Sequence, residues 1–432
     1  MPQEPFPLAP SLWAATAAPA PRTEILQGSA QADVAIVGAG YAGLSTALHL
    51  ARRGVKTTLV EARELGFGGS GRNGGQVIPG LKYDPDDLIA MFGPERGGRL
   101  VDFAGRTADS VFDLIEQYDM DVPRQRNGWI QGAHTRAALT LAHSRARQWA
   151  RHGAPVQPLD KGETSALIGT DRYLGGWVDK RAGAIQPLSY VHGLARAAMQ
   201  EGATVYTESP VARLSRSGSN SGRWTVHGAN GSQLTAERVV LCTNAYGGGL
   251  VPRLNTTIID ANTFMVATQP LPDAVRASIF PQGQVCSDTR NLLLYFRLDH
   301  TGRLLMGGRG PFREPKGPED WRHLERVIAK MFPQAADIGF DYRWCGRVAI
   351  TRDHLPHLHE PEPGLLVDIG CQGRGVGLQT SMGRAMADYV ATGEANALPV
   401  PVTPIKPFPL YALRRLYVNA VVTWYRLNDG GV

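Results

Sequence analysis

The feature that most constrains this chain is a glycine-spaced turn at the end of its first β-branched run. Ala32-Asp33-Val34-Ala35-Ile36-Val37 has strand length and strand composition, and it runs directly into Gly38-Ala39-Gly40-Tyr41-Ala42-Gly43, a G-x-G-x-x-G leaving a strand. Leu44, Ala47, Leu48 and Ala51 then fall at i, i+3, i+4 and i+7, and Gly54 stands where a helix would end in a left-handed cap. Thr57-Thr58-Leu59-Val60 forms a second β-rich run that ends in Glu61-Ala62-Arg63. Strand, glycine turn, helix and strand open a parallel sheet that holds a dinucleotide. Gly38 permits the tight turn, Gly40 lets the backbone approach a pyrophosphate, and Gly43 lets helix and strand pack closely. Tyr41 and Ala42 start the helix whose N-terminus faces the phosphates. Glu61 accepts the ribose hydroxyls, and an acid at this place disfavours a 2′-phosphate, so FAD or NAD is expected rather than NADP.

A second glycine-rich segment, Gly66 to Gln76, favours FAD. It follows the second strand too closely to be an interdomain linker. Besides Ser70, Gly71, Gly74 and Gly75 it carries Arg72, Asn73 and Gln76, whose donors suit phosphate and flavin ring oxygens. Composition agrees: 50 of 432 residues are glycine, well above the ~7 % average, and many sit in these two segments, at 247–249 and at 370–377. A hydrophobic fraction of 43 % and an aromatic fraction of 8 % describe a globular chain and exclude collagen-like or disordered ones. The formal charge of +6 is scattered arginine rather than a stripe, so no nucleic-acid partner is expected. Cys242, Cys286, Cys345 and Cys371 lie too far apart for a disulfide framework or a zinc site. With no charged n-region and no apolar run of about 18 residues, a cytoplasmic protein is expected.

The combination GAGYAGLSTALHL, VEA and SGRNGGQ resembles the glycine oxidase and D-amino-acid oxidase (DAO) superfamily of FAD-dependent oxidoreductases, and within it the gamma-glutamylputrescine oxidoreductase branch. The likeness runs from Ser11-Leu12-Trp13 through Gly183 to Pro187, Leu241 to Tyr246, Trp344 to Asp353 and Gly370 to Gly377, and on to the stretch from Pro407 to Asp429. It implies an α/β fold: a Rossmann-like FAD-binding domain, a parallel sheet with helices, interleaved with an α+β substrate domain carrying an antiparallel sheet. The expected division is a leader at 1–29, an FAD domain from 30–85, 175–250 and 346–400, a substrate domain from 86–174 and 251–345, and a helical extension at 401–432. Residues 86 to about 170 read as helices without strong β-runs. By resemblance, Val211 contacts the adenine side, and Thr243, Asn244 and Ala245 lie beside the dinucleotide. Gly373, Arg374, Gly375, Val376 and Gly377 meet the carbonyl edge of the isoalloxazine, and the FAD is held non-covalently.

The resemblance implies oxidation of a C–N bond in an amine or amino acid. Hydride passes to flavin N5, the imine hydrolyses to an aldehyde or keto acid, and O2 gives H2O2. The best substrate is gamma-glutamylputrescine or a related amine. A dehydrogenase feeding a quinone or protein acceptor, and a tRNA-modifying flavoenzyme, are the alternatives. Tyr295 and Arg297, two apart on a strand, share a face, and Arg297 suits a substrate carboxylate; Arg309 is the second candidate, and Arg72 reaches flavin or substrate. Arg374 stands where many relatives have histidine, Leu305 falls where sarcosine oxidases place an oxygen-activating lysine, and Cys345 is one residue out of place for covalent flavin attachment. His354, His357 and His359 suit a turn better than a metal site. The basic, amphipathic segment from Leu410 to Leu427 is expected to pack on the protein itself rather than on a membrane.

Overall fold

The computed structural model describes residues 8–217 and 222–429. A six-stranded sheet runs in the order Thr204–Tyr206, Thr57–Val60, Val34–Val37, Arg238–Leu241, Leu365–Ile369 and His357–Glu362, and every neighbouring pair is parallel except the last. Its two faces follow the period of two along each strand. Val34 and Ile36 pack with Leu44, Leu48 and Leu194 of the helices Tyr41–Ala51 and Pro187–Gln200. Ala35 and Val37 turn the other way, onto Trp224, Val226 and Leu234 of a four-stranded sheet. Burial on both faces explains why these strands read as unbroken apolar runs.

An eight-stranded sheet forms the second layer, in the order Phe340–Thr351, Ile258–Pro270, Arg303–Arg309, Tyr295–Leu298, Val285–Asp288, Trp129–Gly132, Gly176–Asp179 and Val156–Leu159. All its pairs are antiparallel except Val285–Asp288 with Trp129–Gly132. One face carries the helix Arg322–Met331 through Leu324, Val327, Ile328 and Met331. The architecture is therefore the expected α/β one, a parallel sheet with helices beside a largely antiparallel sheet. The hairpin at 299–302 is present too: Asp299 accepts the N–H groups of Thr301 and Arg303, and Gly302 takes a positive φ of 78°.

Three expectations need correction. Residues 86–174 are not purely helical; besides the helices Pro85–Gly105, Thr107–Gln117 and Arg136–Arg151 they contribute the strands Arg124–Gln125, Trp129–Gly132 and Val156–Leu159. The boundary at 175 separates Gly176–Asp179 from the sheet it belongs to, and the boundary at 345 cuts through Phe340–Thr351. Trp129–Gly132 and Gly176–Asp179 are short and buried at every position, so they show no alternation to read. Nor do the described residues before 30 stand apart as a leader. Trp13 of the helix Leu12–Thr16 is fully buried and donates from Nε1 to the Asn73 carbonyl at 2.7 Å. No helix among the described residues is long and apolar enough to cross a membrane.

Candidate active site

The glycine turn is built by close contact. Gly38 has a φ of 107°, and a Cβ on it would lie 2.9 Å from the Cys242 carbonyl oxygen. A Cβ on Gly43 would lie 1.9 Å from the Gly38 oxygen, so only glycine lets the helix sit this tightly on the turn. Glu61 closes the end of the neighbouring strand. Its Oε2 accepts the Ala39 N–H at 2.8 Å and its Oε1 accepts the Arg63 N–H at 3.1 Å. Burial raises the Glu61 pKa, and these backbone donors oppose the rise. Two N–H groups thus fix the carboxylate and leave lone pairs for hydroxyl groups.

The second glycine segment uses its polar side chains mostly on itself. Asn73 Nδ2 donates to Tyr41 Oη at 3.0 Å and to the Ser70 carbonyl at 2.8 Å, while Asn73 Oδ1 accepts the Gly75 N–H at 2.8 Å. Arg72 Nε donates to the Phe67 carbonyl at 2.7 Å, with its guanidinium 4.7 Å from the Phe67 ring centre. Gln76 Nε2 donates to the carbonyls of Cys286 and Phe296. These donors hold the loop's shape and tie it to the eight-stranded sheet.

These segments border an elongated cavity of about 1250 Å³, larger than the roughly 300–1,000 Å³ of an ordinary small-ligand site. It is lined by Gly38, Gly40, Tyr41 and Ala42, by Glu61, Ala62 and Arg63, and by Val211. Further along, Ser70, Arg72, Asn73, Gly74 and Gln76 face Thr243, Asn244 and the run Gly373, Arg374, Gly375 and Val376. Ala245 and four glycines of the expected set do not line it. Gly43, Gly71, Gly75 and Gly377 instead allow close packing: added Cβ atoms would lie within 3 Å of the oxygens of Gly38, Gly66, Ile185 and Thr107 respectively.

The cavity is also lined by Tyr295, whose Oη shares a 2.8 Å hydrogen bond with Thr263 Oγ1, and by Arg309, whose guanidinium stands 4.7 Å from the Phe312 ring centre. Burial raises the Tyr295 pKa to about 12 and lowers that of Arg309. Arg297 does not reach the cavity. It is 4 % exposed, donates from Nε to the Gly74 carbonyl at 2.9 Å and from Nη2 to the Ile185 carbonyl at 2.8 Å, and lies 5.1 Å from the Trp13 ring centre. Burial lowers its pKa to about 10. The expected carboxylate anchor is therefore a strut that ties strand to glycine loop. Arg297→Met should cost about 2–4 kcal/mol by leaving two buried carbonyls unpaired, read as a lower urea midpoint of the purified holoprotein.

The helix Arg414–Asn428 covers the cavity with Tyr417, Val421 and Tyr425. Asp429 just beyond it accepts the N–H groups of Asn291 and Leu292 at 3.0 and 2.8 Å. Sequence reasoning missed Lys82, Trp129, Gln131 and Arg145, which also line the cavity. Nothing local in the sequence marks them.

A family model described as "FAD dependent oxidoreductase" (DAO) matches residues 33–389. The chain belongs to this family. "Probable oxidoreductase OrdL" of Rhizobium meliloti (strain 1021) is 31 % identical over 422 residues, 97 % of each chain. "Gamma-glutamylputrescine oxidoreductase" of Escherichia coli (strain K12) is 30 % identical over 427 residues, 97 % of this chain and 98 % of the other. Among solved structures, glycine oxidase from Geobacillus kaustophilus superposes with a TM-score of 0.72 at 21 % identity, over 87 % of this chain and 100 % of that one.

In this DAO-family enzyme the cavity fits FAD on its own geometry. The glycine turn lines it, a fixed carboxylate caps the adjoining strand, and Thr243 Oγ1 is buried without a hydrogen-bond partner among the described residues. Glu61 would hold the ribose, and the backbone from Gly38 to Ala42 the pyrophosphate. Cys345 is buried, its thiol raised to about 11 by burial, and it does not line the cavity. Leu305 is fully buried. Of the three histidines, His357 bonds Asp353 at 2.9 Å and His359 bonds the Thr403 carbonyl at 2.7 Å, while His354 lies on the cavity wall.

Proposed function

We propose that this FAD-dependent oxidoreductase oxidises the C–N bond of an amine or amino acid, with gamma-glutamylputrescine or a related gamma-glutamyl amine as substrate. The observation that carries this reading is near end-to-end similarity to the Escherichia coli gamma-glutamylputrescine oxidoreductase, together with a cavity that Tyr295 and Trp129 line besides the glycine segments. FAD, when bound, would supply the two-electron oxidation. The chain's own part is to bind and orient the amine, keep water out, and keep the nitrogen deprotonated. Arginines on the cavity wall lower the pKa of a nearby ammonium and favour the neutral amine. The imine then hydrolyses to an aldehyde or keto acid.

The electron acceptor in this proposal is O2, giving H2O2. A specific observation favours a second reading: fully buried Leu305 stands where the resemblance places an oxygen-activating lysine, which suits a dehydrogenase feeding a quinone or protein. One peroxide per imine in air supports the oxidase. Turnover that requires an added quinone, with no peroxide, supports the dehydrogenase. We further propose that the six- and four-stranded sheets form the FAD domain and the eight-stranded sheet the substrate domain, with the cavity between them.

A further inference from the structure

Three cations gather on one part of the cavity wall from separate elements. Lys82 follows the strand Gln76–Val77, Arg145 projects from the helix Arg136–Arg151, and Arg374 caps the helix Gly375–Thr392. They differ in how they are satisfied. Arg145 is neutralised by the Asp84 carboxylate and also donates to Gln131 Oε1 at 2.6 Å. Arg374 donates from Nη1 to the Pro79 carbonyl at 2.7 Å and stands 5.3 Å from the Trp129 ring centre, with no carboxylate in ion-pair range among the described residues. Lys82 has neither a hydrogen-bond acceptor nor an ion pair among the described residues.

Lys82 is exposed and lines the cavity. Desolvation, then repulsion from Arg374 and Arg145, pulls its ammonium down to about 8. Arg374 falls to about 10, through desolvation and Arg145. His354 on the same wall is lowered by burial and by Lys82. Unpaired like charges lining one cavity repel each other, and an anionic group between them removes that cost. Arg290, another cation of the cavity, is already paired with buried Asp288.

We propose that Lys82 and Arg374 form an anion subsite that seats the carboxylate of the substrate, the end of the molecule that is not oxidised. Arg374 supplies a planar fork and Lys82 a point charge, while Trp129 forms the apolar wall beside them. The subsite rests on the proposed function for the identity of the substrate, but not for the binding of a carboxylate.

The test titrates glutarate into holoprotein and follows heat and the visible flavin spectrum. Wild type should bind it, and Lys82→Gln and Arg374→Gln should each weaken binding about tenfold or more, the worth of one charge-assisted hydrogen bond. Lys82→Arg should restore most of the affinity, which a merely structural role would not do, while Arg309→Gln should leave it within threefold. A second arm compares a gamma-glutamyl amine with its primary-amide analogue. The preference of kcat/KM for the carboxylate should fall about tenfold or more in Lys82→Gln, through KM. Absence of glutarate binding, or losses confined to Arg309→Gln, would overturn the subsite. Glutarate binding that depends on Lys82, in a protein whose flavin no amine reduces, would uphold the subsite and reject the substrate proposal.

Discussion

Gly43→Val should give a protein that purifies without flavin. A Cβ at this position would lie 1.9 Å from the Gly38 carbonyl oxygen and 3.3 Å from Ile36 Cγ2. The first of these atoms is backbone, so no rotamer change relieves the clash. The helix Tyr41–Ala51 would have to lift from the strand. It is also held from the other side, where a Cβ on Gly383 of the helix Gly375–Thr392 would lie 2.6 Å from the Ala42 carbonyl oxygen. Lifting the helix moves the N–H groups of its first turn away from the pyrophosphate. The expected loss is about 100-fold or more in FAD affinity, equivalent to ~3 kcal/mol, with a lower melting temperature. The flavin-to-protein ratio after purification checks it, and full occupancy would show that the turn is not where the cofactor is held.

Glu61→Ala should have the second-largest effect, through charge rather than shape. The carboxylate satisfies the N–H groups of Ala39 and Arg63, and removing it strands both and deletes the acceptor for ribose. At about 1.5–3 kcal/mol for a hydrogen bond to a charged group, FAD should bind roughly 10- to 100-fold more weakly. Glu61→Gln should fall between, because one amide oxygen accepts a backbone N–H while its NH2 faces the other. Quenching of FAD fluorescence on titration into apoprotein measures all three dissociation constants.

What could be read from the sequence was what is local. Strand, turn, helix and acid sit within thirty residues, and each step has its own signature, so the cradle from Gly38 to Glu61 was legible. The hairpin at Asp299 to Gly302 was legible for the same reason. Arg297 shows where locality fails. The period of two correctly puts it on the face of Tyr295, but nothing in its own strand reveals that the glycine loop lies over that face. Gly74 and Gly75 lack side chains where Tyr295 and Arg297 press against them, so Arg297 is enclosed while Tyr295 still borders the cavity. The cluster of Lys82, Arg145 and Arg374 was invisible because its members are far apart in the chain and meet only in the tertiary structure. Trp129–Gly132 was missed as a strand because four residues buried on both faces carry no period.

The most direct test of the account is anaerobic titration of the purified holoprotein with gamma-glutamylputrescine, followed by the visible absorbance of its flavin. FAD should copurify, and its absorbance should bleach with one equivalent of amine per flavin and return when an acceptor is admitted. A colourless protein, or bound flavin left oxidised by this substrate and by a panel of related gamma-glutamyl amines, N-methyl amino acids, cyclic imino acids and D-amino acids, would contradict it.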